Sequence, residues 1–113
     1  MTPPVKMLLI FVDETDTWDE LPLYEAIVRR LRQLDVAGAT VQMGIMGFGS
    51  HMSIHKKGLF GITDDRPVII SVVENVEKLQ TIIPEIRHMV REGLVVLTDV
   101  ELIPYDSAAN EHK

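Results

Sequence analysis

One stretch of the sequence gathers residue types that bind anions. Residues 36–63 contain no Asp or Glu, although the rest of the chain contains all 17, and they hold six of the seven glycines. Glycine allows backbone N–H groups to approach and surround an anion, and Lys and His side chains can neutralise its charge. We therefore predict an anion-binding site in this stretch. Its candidate residues are Gly44, Gly47, Gly49, His51, His55, Lys56 and Lys57.

The spacing of these glycines matches no common phosphate-binding motif. The run GIMGFG at 44–49 lacks the Gly-Lys-Ser/Thr ending of a Walker loop. It also lies at the end of a predicted strand and not before a helix, so it differs from the dinucleotide fingerprint. The alternative interpretation is structural, namely a β-bulge or tight bend that twists a long strand. The sequence is compatible with both interpretations.

Two histidines in the same stretch raise the alternative of a metal site. His51 and His55 are four residues apart and would share a face if this segment were helical. The stretch has no carboxylate, and the chain has no cysteine, to complete a tetrahedral set of ligands. Solvated loop histidines are therefore expected, and we assign no metal ligands. His88, on the predicted second helix, is expected at the surface.

A cluster of carboxylates follows the first predicted strand. Paired carboxylates could perform acid–base chemistry or bind a hard cation. The alternative is a solvated loop whose charges favour the start of the first helix. No nucleophile or histidine lies nearby in the sequence to form a catalytic set, which favours the solvated loop. The cluster consists of Asp13, Glu14, Asp16, Asp19 and Glu20.

Two features near the first helix have structural and functional interpretations. Trp18 is an anchor either for packing or for an interface, and a single aromatic residue does not decide between them. Arg29, Arg30 and Arg32 form a basic strip on an acidic chain. We interpret this strip as a solvated helix face paired with Glu25.

Composition and charge limit the class of protein. The 113 residues, 12.8 kDa in mass, suffice for one compact domain over residues 1–113, with a core from about 5 to 104. The net charge of −6 disfavours general binding to nucleic acid or to anionic lipid. The absence of cysteine excludes disulfides and thiolate chemistry. The apolar run at the N-terminus is too short to cross a membrane, so we expect a cytoplasmic protein without membrane insertion.

Apolar periodicity predicts the elements that must position these residues. Strands are expected at 5–12, 39–48, 67–74 and 94–103. A first helix begins at Pro22 and ends before Gly38. Asn75 caps a second helix that Gly93 ends in a left-handed conformation, with a kink or a break into two helices at Pro84. The polar tail 106–113 is expected to be frayed.

The predicted order of strand, helix, strand, strand, helix, strand is that of the ferredoxin-like α+β sandwich. This fold has a four-stranded antiparallel sheet with two helices on one face. Strands that are apolar on both sides leave the other face in need of a cover. We therefore expect the chain to form a homo-oligomer through its sheet.

Five segments carry a resemblance to a known family. They are PLYEAIV at 22–28, AGATVQMGIMGFG at 37–49, SIHK at 53–56, RPVIISVVE at 66–74 and EGLVVLTDVELI at 92–103. In order and spacing they resemble the uncharacterised, PII-like family called domain of unknown function one-ninety. The resemblance covers residues 6–104, and its most specific parts are the block at 37–49 and the segment after it.

The resemblance implies a ferredoxin-like subunit that assembles as a trimer, similar to the PII nitrogen regulators and the CutA proteins. In PII proteins the connection between the second and third strands is the mobile T-loop, which contacts partner proteins; here it corresponds to residues 50–65. PII proteins bind nucleotides in clefts between subunits. Their site also uses a basic loop before the last strand, which corresponds to residues 91–93 and brings in Arg91.

These arguments together predict a non-enzymatic PII-like signalling protein. An anionic small molecule, with an adenine nucleotide as the first candidate, would bind between subunits and signal through residues 50–65 to a protein target such as a membrane transporter. One alternative is a CutA-like trimer that binds divalent metals; another is a small ferredoxin-like enzyme with His55 as its base. The predicted ligand-binding residues are Gly44, Gly47, Phe48, Gly49, His55, Lys56, Arg66 and Arg91.

Overall fold

The computed structural model describes residues 4–48 and 66–104. These residues form a four-stranded sheet, a short hairpin and two helices. In chain order the elements are β1 (Val5–Asp13), β2 (Thr17–Trp18), β3 (Leu21–Pro22), α1 (Leu23–Gln33), β4 (Thr40–Met43), β5 (Pro67–Asn75), α2 (Val76–Met89) and β6 (Leu94–Asp99).

The sheet has the strand order β4-β5-β1-β6, and every neighbouring pair is antiparallel. The two central strands, β1 and β5, are the most apolar segments of the chain and are paired along their full length. Asp13 lies opposite Pro67, and Phe11 lies opposite Leu94 on the other side. The ferredoxin-like α+β architecture is thereby confirmed. The hairpin of β2 and β3 is an addition to it.

The core lies between the sheet and the two helices. Every second residue of β1, namely Leu8, Ile10 and Val12, is fully buried on the helical side, because side chains alternate along a strand. The same alternation buries Val68, Ile70 and Val72 of β5. The buried helix residues recur at helical spacing and pack in the same cluster. They are Leu23, Ala26, Ile27 and Leu31 of α1, and Leu79, Ile82, Ile86 and Met89 of α2.

Two of the predicted helix ends agree with the structure and a third differs. Asn75 caps α2 as predicted, and its side chain accepts a hydrogen bond from the backbone N–H of Lys78 at 2.8 Å. Helix α1 ends at Gln33, before Gly38 as predicted, and Asp35 beyond it takes the left-handed conformation (φ 61°). Gly93 does not cap α2, which ends at Met89 before an extended Val90.

Two predicted strands are longer than the observed ones, and one predicted helix break is absent. Strand β6 ends at Asp99 and not at residue 103, because its partner Lys6 is at the start of β1. Strand β4 covers Thr40–Met43 of the predicted 39–48 because its partner, β5, begins at Pro67. Helix α2 continues through Pro84 as one helix, so the alternative of two short helices is wrong. The predicted frayed tail lies outside the described residues.

The turn of the hairpin formed by β2 and β3 is not predicted by the sequence. Trp18 pairs with Leu21 across a turn in which Asp19 (φ 47°) and Glu20 (φ 69°) are both left-handed. Such two-residue turns normally use Asn-Gly or Asp-Gly. Residues without glycine's freedom are strained there, at a cost of about 1–2 kcal/mol each. The packing of Trp18 and Leu21 against the core offsets this strain.

Glu74 ties the connection after α1 to the start of α2. Its two carboxylate oxygens accept hydrogen bonds from the backbone N–H groups of Ala37 (3.1 Å) and Asn75 (3.0 Å). Burial acts to raise the pKa of this carboxyl. The two hydrogen bonds and the positive charge of Lys78 outweigh burial and hold its pKa below the ordinary value of about 4.5.

Because the pKa of Glu74 is lower in the folded chain, its ionised form stabilises the fold above about pH 4.5. This contribution is lost as the pH falls through the lower folded value. We expect Glu74→Gln to reduce the free energy of unfolding more at pH 7 than at pH 3. Urea denaturation at both pH values measures this difference. Glu101→Gln is the control, since Glu101 is exposed; an equal pH dependence in both variants would contradict the prediction.

Candidate functional site

The face of the sheet that points away from the helices is apolar, as the sequence predicts. The residues between the buried positions of the strands point to this side. Leu9, opposite Ser71 on β5 and Val96 on β6, lies near its centre. Most of these side chains are half-buried, and Leu94 is 58% exposed. The apolar members of this open face are Met7, Leu9, Phe11, Ile69, Val73, Leu94 and Val96.

All the described ligand-site candidates lie at one end of the sheet, which we call the Asp13 end. Strands β1 and β4 finish there, and β5 and β6 begin there. The backbone N–H of Gly44 donates to the carbonyl of Pro67 at 2.7 Å, so the chain after β4 stays beside the start of β5. Arg66 immediately precedes β5, and Arg91 lies shortly before β6.

Gly44 and Gly47 have a packing reason to be glycine. A Cβ added at Gly44 would lie 2.5 Å from Cγ of Pro67, and one added at Gly47 would lie 3.1 Å from the same atom. Both distances are shorter than ordinary van der Waals contact, so the glycines allow the chain to approach the proline ring. The structural interpretation of the glycine run therefore gains support. Binding of an anion at the same backbone stays a prediction.

Phe48 and Arg66 are accessible at the Asp13 end. Phe48 is 96% exposed, and Ile45 in the same segment is 93% exposed. The side chain of Arg66 is exposed, while its backbone exchanges hydrogen bonds with Glu14: Arg66 N–H donates to Oε1 of Glu14 at 3.2 Å, and Glu14 N–H donates to the Arg66 carbonyl at 3.0 Å. These bonds fix the backbone of Arg66 and do not use its guanidinium.

Arg91 lies at the same end of the sheet but at the opposite edge. The strand order puts β5 and β1 between β4 and β6, so Gly44 and Arg91 are separated by three strand spacings, or about 14 Å. A cavity of about 360 Å³ adjoins Arg91, and Asp16, Asp19 and Glu92 also line it. One copy of the chain therefore does not bring Arg91 to the glycine run. No pattern in the sequence indicated that Asp16 and Asp19 of the acidic cluster lie near Arg91.

The acidic cluster has a structural role at its first member. Asp13 is 2% exposed, and its Oδ1 accepts hydrogen bonds from the backbone N–H and the hydroxyl of Thr15, both at 2.9 Å. The Asp13 N–H donates to Oδ2 of Asp16 at 3.0 Å. These bonds build the turn after β1, so the predicted solvated loop is wrong at Asp13, whose carboxylate is buried. In the described ranges the other oxygen of Asp13, Oδ2, is buried without a hydrogen-bond partner.

Several predicted residues lie outside the described ranges. They are Gly49, His51, His55, Lys56 and Lys57, together with the whole of the proposed signalling loop at 50–65. Within residues 4–48 and 66–104, no group of three or more His, Asp or Glu side chains is arranged to hold a metal ion. In the same ranges no helix is long and apolar enough to cross a membrane.

A family model matches residues 5–102, nearly the whole chain; its description is DUF190, Uncharacterized ACR, COG1993. The chain belongs to the DUF190 family. Two relatives illustrate the match. A UPF0166 protein of Aquifex aeolicus is 33% identical over 98 residues, which cover 87% of this chain and 92% of the relative. A UPF0166 protein of Methanocaldococcus jannaschii is 30% identical over 95 residues, covering 83% and 87%. The predicted membership of DUF190 is thus confirmed.

Proposed function

We propose that this DUF190 chain is a non-enzymatic, PII-like regulatory subunit that assembles as a cytoplasmic homotrimer. An anionic small molecule, with an adenine nucleotide as the first candidate, binds in the cleft between two subunits. Binding changes the conformation of residues 50–65 and so their fit to a target protein, for which a membrane transporter is the first candidate class. The nucleotide, the trimer and the signalling segment come from the resemblance to PII proteins.

The open sheet face supports the oligomer. Both helices pack on the other side of the sheet, so the apolar side chains around Leu9 and Phe11 need a cover. Large apolar patches on soluble proteins usually mark interaction sites. Three sheets turned inward around a threefold axis would cover one another, because identical subunits prefer closed cyclic arrangements.

The division of the candidate site between two sheet edges is the observation that carries the proposal. Strand β4 runs towards the Asp13 end and β6 runs away from it. If β4 of one subunit adjoined β6 of the next, the two strands would be antiparallel, and the glycine run of one subunit would approach Arg91 of its neighbour. The separation of about 14 Å within one chain would become about one strand spacing between chains.

Mixed trimers test whether the site is shared. We expect Gly47→Val, which narrows the approach to the backbone, and Arg91→Gln, which removes a cation, each to weaken binding of ATP, ADP or AMP about tenfold or more in calorimetric titrations. Neither variant is expected to dissociate the trimer. When the two variants are unfolded and refolded together, about a quarter of the clefts should combine an intact Gly47 with an intact Arg91 and regain wild-type affinity.

A matched control is wild type refolded with the double variant, which also yields about a quarter of intact clefts. If the mixture of single variants regains no sites while this control does, both residues act within one subunit and the shared cleft is wrong. If no adenine nucleotide binds wild type, the proposed ligand class is wrong. Stabilisation by divalent metals alone would support the CutA-like alternative instead, since a ligand at 100 times its Kd stabilises a fold by about 2.7 kcal/mol.

A further inference from the structure

A groove between α1 and α2 lies beside the cavity at Arg91, with which it shares Trp18 and Met89. It encloses about 520 Å³ on the helical layer, on the other side of the sheet from the open face. The α1 residues that line it are three, four and seven positions apart and so share one face of the helix. They are Ala26, Arg29, Arg30 and Gln33, and they face Pro84, Glu85, His88 and Met89 of α2. The hairpin of β2 and β3 contributes Trp18 and Leu21 to its lining. Its volume falls in the range of small-molecule sites.

The walls of this groove are apolar and held in place. Trp18 is the only tryptophan of the chain, and its ring meets that of His88 edge to face, with centroids 5.9 Å apart. Met89 and Ala26 are buried core residues that also line the groove. The exposed ring of Pro84 completes it, although proline inside a helix costs about 3 kcal/mol. Residues that break a local rule often serve a function.

Two of the five polar side chains that line the groove are arginines. Arg29 and Arg30 line it together with one carboxylate, Glu85, which Arg30 engages through both Nε and Nη2. Among the described residues, Arg29 forms an ion pair with Glu25, through Nη2 at 3.1 Å, and its side chain is 65% exposed. Such a surface pair is weak, and a guanidinium has five N–H donors, so Arg29 can bind a second acid group. An apolar groove with the exposed Arg29 at its rim is complementary to an amphipathic anion.

We propose that this groove binds a small amphipathic organic anion, with a flat or branched apolar body and one carboxylate or sulfonate. The apolar body lies between Trp18, Met89 and Pro84, and the acid group meets Arg29. Arg29 and Pro84 line this groove but not the cavity at Arg91, so the groove gives the chain a second ligand of different chemistry.

Two probes with nearly the same body test the proposal. 1-Anilinonaphthalene-8-sulfonate has the acid group, and N-phenyl-1-naphthylamine lacks it. Because Trp18 lines the groove, both probes should quench its emission and gain emission themselves, saturably. Arg29→Gln should weaken binding of the sulfonate about three- to tenfold and leave the neutral probe unchanged. Arg32→Gln is the matched control, since Arg32 is on the same helix but lines a different cavity.

Each other result counts against the site. Equal effects of Arg29→Gln and Arg32→Gln would show that only general charge attracts the sulfonate. Equal loss of both probes in Arg29→Gln would show that the arginine supports the fold of the groove and does not bind the acid group. If Trp18 emission does not change when the probes bind, the probes bind at another site.

Discussion

Replacing Gly93 by alanine is expected to lower the melting temperature by about 10 °C. A Cβ at this position would lie 2.4 Å from the carbonyl oxygen of Phe11 and 3.0 Å from Cγ1 of Val90. Phe11 is held in the sheet by pairing with Ile69 and Leu94 on its two sides, so its carbonyl cannot retreat. Overpacking of this kind costs about 1–3 kcal/mol, and each kcal/mol lowers Tm by about 4 °C or more in a domain of this size.

Gly38→Ala is the matched control for this change. No heavy atom outside its chain neighbours lies within 4 Å of a Cβ added at Gly38. The substitution should therefore leave Tm unchanged or raise it slightly, because alanine reduces the freedom of the unfolded chain. Thermal melts followed by circular dichroism compare the two variants. A similar small shift in both would show that the strand containing Phe11 can adapt, contrary to the rigid pairing described above.

Periodicity predicted the part of the fold that burial dictates. The apolar runs of β1 and β5 and the helical spacing of Leu79, Ile82 and Ile86 result from packing in one core, so the sequence is sufficient to place these elements. The N-cap at Asn75 was predictable for a similar reason, since a short polar side chain before an apolar helical run has one favourable role.

Conformations set by tertiary contacts were not predictable. Asp19, Glu20 and Asp35 adopt left-handed conformations that local propensity assigns to glycine or asparagine. Gly93 was expected to end α2, but it is required by the nearby carbonyl of Phe11, which is distant in sequence. In each case the deciding partner lies elsewhere in the chain, where a local pattern carries no information about it.

The candidate site was also predictable only in part. Composition identified the glycine run, and the resemblance added Arg91, but neither indicated that they lie at opposite edges of one sheet end. The proximity of Asp16, Asp19 and Glu92 to Arg91 also depends on the hairpin that the sequence did not reveal. Strand order decides which residues one copy can bring together, and it follows from packing and not from local pattern.

A carboxylate in place of Leu9 is expected to convert the proposed trimer into folded monomers. Leu9 lies near the centre of the open face, between Ser71 and Val96, and its side chain takes no part in the buried core. Covering a leucine stabilises an assembly by about 1.5–3 kcal/mol per side chain, and a trimer loses this three times. Burying three unpaired carboxylates near a threefold axis adds a further cost of several kcal/mol.

Sedimentation equilibrium distinguishes the outcomes, since the monomer mass is 12.8 kDa and the trimer has three times that mass. Gln80→Glu is the control, because it introduces the same charge at an exposed position of α2 and should leave the trimer intact. Circular dichroism should show that Leu9→Glu keeps its helices. A Leu9→Glu protein that stays trimeric would mean that the subunits contact each other elsewhere and that the open face binds a different partner. A wild type that sediments at 12.8 kDa would remove the cleft between subunits from the proposed function while leaving the groove between α1 and α2 unaffected.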